Sequence, residues 1–250
     1  MVDRSSHRVQ KMFGEIAGRY DFLNHFLSMG IDHWWRWGVV RNVAPRNIPG
    51  AKILDVCTGT GDLAIAFWKK YHIPVVGVDF CVEMLEIGRE KIRKLNANAE
   101  SGAETLELRE GDACALPFDD ETFEVVSVAF GLRNVEDMRR GLQELIRVCV
   151  PGGKVAILEF STPTFPPIRW AYSFYFHKIL PRIGQLVAKN RFSAYEYLPQ
   201  SVDEFPQGEK LTQIMREMGL ESVAYRPLTF GIATLYTGTK SATQDSSVPD

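Results

Sequence analysis

The chain has 250 residues, 45% hydrophobic and 24% charged, with 29 basic against 31 acidic side chains and a net charge of −2. These values fit one folded α/β domain and exclude a disordered chain, a collagen repeat or a coiled coil; without a basic excess, nucleic acid is not expected as a partner. Cys57, Cys81, Cys114 and Cys149 are widely spaced, form no Cys-x-x-Cys pair, and read as free thiols of a reducing compartment rather than a disulfide framework or metal site.

In chain order, residues 1–45 lack strand signals. Phe13, Ile16, Tyr20, Leu23, Phe26 and Leu27 recur at helical spacing and predict an amphipathic helix, followed by a short helix holding Trp34, Trp35 and Trp37. The middle then alternates. Strands are predicted at 52–56, 75–78, 105–108, 123–128 and 154–160. Helices are predicted at 62–70, along the Val82, Leu85, Ile92 and Leu95 face, and at 135–148. Such alternation predicts a mostly parallel sheet with helices on both faces. Leu211, Ile214, Met215 and Met218 mark a further helix with Gly219 as its C-cap, and strands at 221–226 and 232–238 predict a closing antiparallel hairpin. Residues 162–200 are rich in aromatics, from Phe165 to Tyr197. They read either as a helical cover over the sheet or as a lid over an apolar substrate. Residues 241–250 are small and polar, an expected disordered tail. No run reaches the roughly 18 apolar residues of a membrane span, and the N-terminus has no apolar signal region, so a cytoplasmic protein is expected.

Chemistry concentrates at predicted strand ends. The run from Ile53 to Leu63 carries Asp55, Gly59, Thr60 and Gly61 between a buried strand and a helix start, where free backbone N–H groups can hold an anion. Gly59-x-Gly61-x-x-Ala64 also fits a dinucleotide fingerprint, so the turn alone does not choose a cofactor. Asp79, at the end of the second strand, can accept both hydrogen bonds of a ribose diol or cap the next helix. Asp112, followed by the small Ala113, can reach an adenine amino group or form an Asx turn.

These strand ends in register, with Pro151-Gly152-Gly153 and the terminal hairpin, resemble the class I S-adenosylmethionine-dependent methyltransferases. Two longer stretches narrow the resemblance. Tyr20 to Trp35 (Tyr-Asp-Phe-Leu-Asn-His-Phe-Leu-Ser-Met-Gly-Ile-Asp-His-Trp-Trp) and Arg147 to Ser161 are similar to the two signatures of the quinone-biosynthesis C-methyltransferases. Phe130-Gly131-Leu132-Arg133-Asn134-Val135 and Leu180 to Gly184 are similar to further family hallmarks. Asp32 stands where the signature commonly has His, Cys149-Val150 where it has Leu-Lys, and Ala129 where some members place a cofactor-contacting Ser.

The resemblance implies a Rossmann-like domain over 1–240, with 1–45 as a helical cover and 162–200 as an inserted lid. It implies S-adenosyl-L-methionine as cofactor, held by Asp55, Gly59, Thr60, Gly61, Asp79, Asp112, Ala113 and Ala129. The implied substrate is a prenylated quinol: demethylmenaquinol, or a ubiquinol precursor. The expected partners are that quinol, lipids at the inner face of the cell membrane, and a second copy of the chain.

A neutral hydroquinone carbon is a poor nucleophile, so the site must favour the phenolate. Arg133 is expected to hold it, Asn134 to orient an oxygen or water, and Tyr20 to bond a quinol oxygen. Asp21, Asp32 and Glu159 are the candidate proton acceptors, with His25 and His33 behind them. The bland alternative for Arg133 is an ion pair with Glu136 or Asp137. Three other functions stay open: a methyltransferase acting on oxygen or nitrogen of a soluble metabolite, an NAD-dependent oxidoreductase, and a catalytically silent scaffold.

Overall fold

The computed structural model describes residues 3–28, 30–96, 105–179 and 194–242. Most of the expected tail (243–250) and the middle of the aromatic segment (180–193, with Leu180 to Gly184 and Phe192) lie outside the described residues.

Seven strands form one sheet in the order β3-β2-β1-β4-β5-β7-β6. They are β1 Ile53–Val56, β2 Val75–Asp79, β3 Leu106–Glu110, β4 Phe123–Ala129, β5 Cys149–Phe160, β6 Leu220–Leu228 and β7 Ala233–Lys240. The first five are parallel, and β7 runs antiparallel to both β5 and β6. Every residue of β1 and β2 is buried. Strands covered on both faces cannot alternate polar with apolar, which is why they read as continuous apolar runs.

The helices are α1 Ser6–Leu27, α2 Ile31–Asn42, α3 Asp62–Tyr71, α4 Val82–Asn96, α5 Met138–Val148, α6 Pro166–Phe174, α7 Ala194–Glu204 and α8 Glu209–Glu217. On one face of the sheet, Leu142 and Leu145 of α5 and Leu211 and Met215 of α8 pack on Val126 and Ile157. On the other, Trp35 and Val39 of α2, Phe67 of α3 and Leu85 of α4 pack on Val125 and Leu158. Each such side chain contributes about 1.5–3 kcal/mol through burial.

Two predicted boundaries move. The helix expected from 135 starts at Met138, because Leu132–Asn134 form a 3₁₀ turn and Asp137 caps α5 by accepting the Arg140 N–H at 3.0 Å. The strand expected from 154 starts at Cys149: β4 advances from Phe123 to Val125 while β5 advances from Cys149 to Lys154, so Pro151-Gly152-Gly153 is absorbed within the strand.

The sheet order reverses direction between β1 and β4, and in open α/β sheets the ligand cleft lies beyond the carboxyl ends of the strands at that point. Cys57 (φ 53°) and Phe130 (φ 57°) follow those two strands in left-handed conformation. Strained non-glycine residues concentrate at functional sites. α1 roofs the cleft. Its face of Val9, Met12 and Ile16 is buried, at spacings of three and four. Gln10 Nε2 donates to Phe80 O at 2.9 Å, Ser6 Oγ to Glu136 at 2.7 Å and Arg4 Nε to Arg133 O at 2.9 Å, which ties the helix to the ends of β2 and β4.

Candidate active site

Two cavities, of about 540 and 310 Å³, lie beyond β1, β2 and β4, with Phe13, Tyr20, Cys57, Gly59, Ala129 and Phe130 lining both. The smaller is bounded by Asp79, Phe80, Asp112, Ala113 and Asn134. The larger runs from Asp55, Thr60 and Asp62 past Arg133 to the aromatic side chains of α6 and α7.

The smaller cavity is lined by a glycine backbone and by Asp79 and Asp112 at two strand ends. Gly59 has φ +57°, and a Cβ built there would meet nothing within 4 Å; it would stand in the cavity itself. Asp79 is buried, and its two oxygens accept the Gly59 N–H at 2.8 Å and the Cys81 N–H at 2.9 Å. It therefore braces the glycine turn and the turn that leads into α4, and each oxygen keeps a lone pair. Burial raises its pKa. Asp112 is exposed and forms an Asx turn, accepting the Cys114 N–H at 2.8 Å, which sets the buried Ala113 at the cavity wall.

Asp55 lies beneath the turn. It is 1% exposed and accepts the hydroxyls of Thr58 at 2.7 Å and Ser127 at 2.9 Å; burial pushes its pKa up to about 6. Thr60 Oγ1 donates to Asp21 at 2.6 Å and accepts from Lys91 at 2.9 Å. Lys91 also pairs with Asp21 and Asp62, and Arg36 pairs with Asp32 and Asp62. This network, which no sequence pattern announced, fastens α1 and α2 to the glycine turn. Gly88 of α4 was equally silent in the sequence. A Cβ there would lie 2.9 Å from Thr60 O, so only glycine lets the helix approach the turn.

On the acceptor side, Arg133 is 6% exposed and pairs with Glu159, which is fully buried, at 2.8 Å through Nη1. Glu159 also accepts the backbone N–H groups of Arg133 and Phe160. Glu136 and Asp137, the partners weighed for Arg133 from sequence, are used otherwise: Glu136 holds Ser6 and Asp137 caps α5. Arg133 Nη1 also donates to Phe130 O, while its Nε is buried with no partner. Asn134 points differently from its neighbour. It lines the smaller cavity, donates to Phe130 O at 3.3 Å, and leaves its Oδ1 buried and unpaired. The sequence expectation placed it with the acceptor. Consecutive residues of a 3₁₀ turn diverge by about a third of a revolution, so one cannot follow the other. Tyr20 is half-buried at the junction of the cavities, and burial raises its pKa.

The candidate proton acceptors are all engaged. Burial works against the charge of Asp32, yet hydrogen bonds from Ser28 and the Arg36 guanidinium hold its pKa at about 2. Asp21 is bound to Lys91 and Thr60, and Glu159 takes three N–H contacts. His25 gives its Nδ1 to Asp32 at 2.7 Å and stacks on His33 at 4.2 Å. His25, Asp32 and His33 bring ligand atoms within 4.8 Å of one another, but with Asp32 already shared by Arg36 and Ser28 the group reads as an ion-pair cluster.

The fold defines the class. A solved S-adenosylmethionine-dependent methyltransferase from Thermotoga maritima superposes with a TM-score of 0.64 at 18% identity, covering 93% of this chain and 100% of that one. The two chains thus share one fold. Residues 1–240 match the model of the ubiE/COQ5 methyltransferase family, and the chain belongs to that family. It is 46% identical to the ubiquinone/menaquinone biosynthesis C-methyltransferase UbiE of Geobacter sp. (strain M21), over 96% of this chain and 99% of that protein. It is 41% identical to the demethylmenaquinone methyltransferase of Bacteroides fragilis, over 95% and 94%.

Proposed function

We propose that this protein transfers a methyl group from S-adenosylmethionine to a ring carbon of a prenylated quinol, demethylmenaquinol first and a ubiquinol precursor second. One observation carries the reading: a cavity of about 310 Å³ bounded by Asp79 and Asp112 shares its wall with a larger aromatic cavity lined by a buried arginine. Bound in the first, the cofactor supplies a methyl group on a sulfonium, activated for in-line displacement. Asp79 would receive the ribose, and Ala113 with Asn134 would flank the base. Gly59, Thr60 and Gly61 would hold the amino-acid end, over Asp55.

The chain's own work is alignment and charge. Phe130 and Phe160, with centroids 4.5 Å apart, and Trp35 beside both form an aromatic wall suited to a flat ring. Arg133, a cationic guanidinium lining the larger cavity, favours a phenolate over a phenol. With Asp32 held at about 2 and Glu159 occupied, activation comes from a lowered phenol pKa rather than from a strong base. Tyr20, at the cavity junction, would orient the acceptor.

No helix among the described residues is long and apolar enough to cross a membrane. Trp34, Trp37, Phe165, Trp170, Phe174 and Phe230 are nevertheless each at least half exposed. Trp35 Nε1 donates to Thr229 and Ser161 Oγ to Gly231 O, which brings α2, the β6–β7 turn and the end of β5 together. A cluster of exposed aromatics beside an apolar cavity supports peripheral, reversible contact with the inner face of the membrane, from which a tailed quinol is drawn. Arg169 and Lys178 add local positive charge for anionic lipids; Arg182, Lys189 and Arg191 fall outside the described residues.

The test is turnover of demethylmenaquinol and of a tail-less analogue, with cofactor binding measured beside NAD. Binding of S-adenosylmethionine alone and a strong preference for the tailed quinol are expected. Equal turnover of tail-less soluble acceptors would favour a metabolite O- or N-methyltransferase instead. Sedimentation with anionic liposomes tests the membrane contact, and the mass in solution tests the homodimer.

A further inference from the structure

A cavity of about 540 Å³ has room for a ring and the first stretch of a prenyl tail, not for a long tail entire. Such a tail has to leave the cavity, and its way out has to be apolar. Among the described residues that line the cavity, Pro167 and Ala171 of α6 are the exposed ones; the rest are buried or half-buried. The wall is one helix thick there. Ile168 and Tyr172 of α6 also line the cavity, while Phe165 at its N-terminal edge, Trp170 and Phe174 stand outside it at 60, 74 and 52% exposure.

The helical period sets up this arrangement. Pro167 and Ala171 are four residues apart and share one row of the helix surface; Trp170 and Phe174 occupy the next row. The two outer rings stack with centroids 6.1 Å apart and planes 11° from parallel, so they form one apolar strip beside the mouth. Ala171 ends at its Cβ and lies between the large side chains of Trp170 and Tyr172, which leaves a gap in the wall. An exposed apolar strip of this kind marks a contact surface. Charge indicates what covers it. Between Glu159 and Glu196 the sequence carries Arg169, Lys178, Arg182, Lys189 and Arg191 and no acidic residue. Arg169 and Lys178 are exposed on the same segment as the strip. Apolar rings edged by cations alone suit an anionic lipid surface.

Resting on the proposed quinol reading, we propose that Pro167 and Ala171 form the mouth of the acceptor cavity and are its specificity residues for the prenyl tail. The ring lies inside, the first part of the tail crosses α6 over Ala171, and the remainder follows Trp170 and Phe174 into the acyl layer. A tail fills the mouth for as long as its ring is bound, whereas a ring without a tail only passes through. A larger side chain at Ala171 therefore competes with the tail and not with the bound ring, and it acts on the choice between tailed and tail-less acceptors.

The experiment compares wild type, Ala171→Leu and Ala171→Trp. The probes are a diprenyl 1,4-naphthohydroquinol and tail-less 1,4-naphthohydroquinol, both dispersed in detergent. The tail-less probe is followed as a substrate and as a competitive inhibitor of the tailed one. Ala171→Trp should raise KM for the tailed probe roughly tenfold and change kcat and the tail-less probe little, with Ala171→Leu between. Cofactor affinity and melting temperature should hold, because Ala171 is exposed; if the larger substitution lowers the melting temperature, Ala171→Leu carries the test. A separate variant, Trp170→Ser with Phe174→Ser, should keep its rates on dispersed probes and lose sedimentation with phosphatidylglycerol vesicles. Ala171 variants that keep the wild-type preference for the tail, or that lose both probes equally, overturn the inference while the proposed function stands. So does an outer-row variant that still sediments, or whose mass in solution falls instead, since a second copy of the chain would then cover the strip. A wild type that methylates tailed and tail-less probes equally well, or neither, overturns the proposed function itself.

Discussion

Arg133 and Glu159 form a buried ion pair, Nη1 to Oε2 at 2.8 Å, across neighbouring strand ends. The pair orients the guanidinium, whose Nε is buried without a partner. Arg133→Ala should lower kcat by about a hundred- to a thousandfold, as loss of one transition-state donor does elsewhere. It also strands the Glu159 charge, at a stability cost of about 3–5 kcal/mol. Arg133→Lys keeps the charge, loses Nε, and should recover part of the rate. The double change Arg133→Ala with Glu159→Gln separates the two effects: it should restore stability and not turnover. Wild-type kcat in any folded Arg133→Ala variant would remove Arg133 from the reaction.

Asp79→Ala should weaken S-adenosylmethionine binding by about 1–3 kcal/mol. The carboxylate braces the Gly59 N–H as well as offering lone pairs to a diol, so the loss combines a looser turn with a missing contact. Calorimetric titration of a variant shown to be folded decides this, and unchanged affinity would sink the ribose assignment. Asp112→Ala, at an exposed Asx turn, should cost less.

Alanine at two glycines should separate binding from packing. Gly59→Ala meets no atom but takes a left-handed φ of +57° and puts its methyl into the cavity, so cofactor affinity should fall with only about 1 kcal/mol of stability lost. Gly88→Ala drives its methyl against the Thr60 carbonyl and should lose about 1–3 kcal/mol of stability along with cofactor affinity. Melting curves beside cofactor titration test both, and equal loss of stability in the two variants would contradict the distinction.

The pH dependence of stability follows from two opposed carboxylates. Asp55 has its pKa raised by burial from 3.8 to about 6, so its uncharged form is the one the fold prefers. Its contribution is complete below about pH 4 and is lost as pH rises through 6, about 3 kcal/mol in all. Asp79 shifts the same way. Asp32, held at about 2, contributes above its ordinary value of 3.8 and loses that contribution as pH falls towards 2. Urea unfolding of the ligand-free protein should therefore show greatest stability near pH 4–5. Asp55→Asn should flatten the fall between pH 4 and 6, and an unaltered slope would mean that Asp55 does not titrate there.

Much was legible in order along the chain. The β-α alternation, the glycine turn after Val56, Asp79 at a strand end and the closing hairpin are local patterns, set by side-chain period, caps and backbone sterics. Asp79 faces the cavity and accepts the Cys81 N–H in the turn before α4, which is not a cap of the helix itself. In the sequence Pro167 and Ala171 are only small members of an aromatic segment, because nothing local tells a residue at the edge of a cavity from one turned wholly to solvent.

What the tertiary structure alone decided was partnership across distance. Glu159 meets Arg133 because β5 lies beside β4, and near neighbours in sequence, Glu136 and Asp137, are turned to Ser6 and to the end of α5. Lys91 reaches Asp21 and Thr60 because α1 folds back over the cleft. Asn134 leaves the side of Arg133 because a 3₁₀ turn replaces the first turn of the expected helix. Sequence determines which residues can carry charge, turn tightly or fill a core. The strand order and helix packing, set by burying both faces of one sheet, determine which of those residues meet.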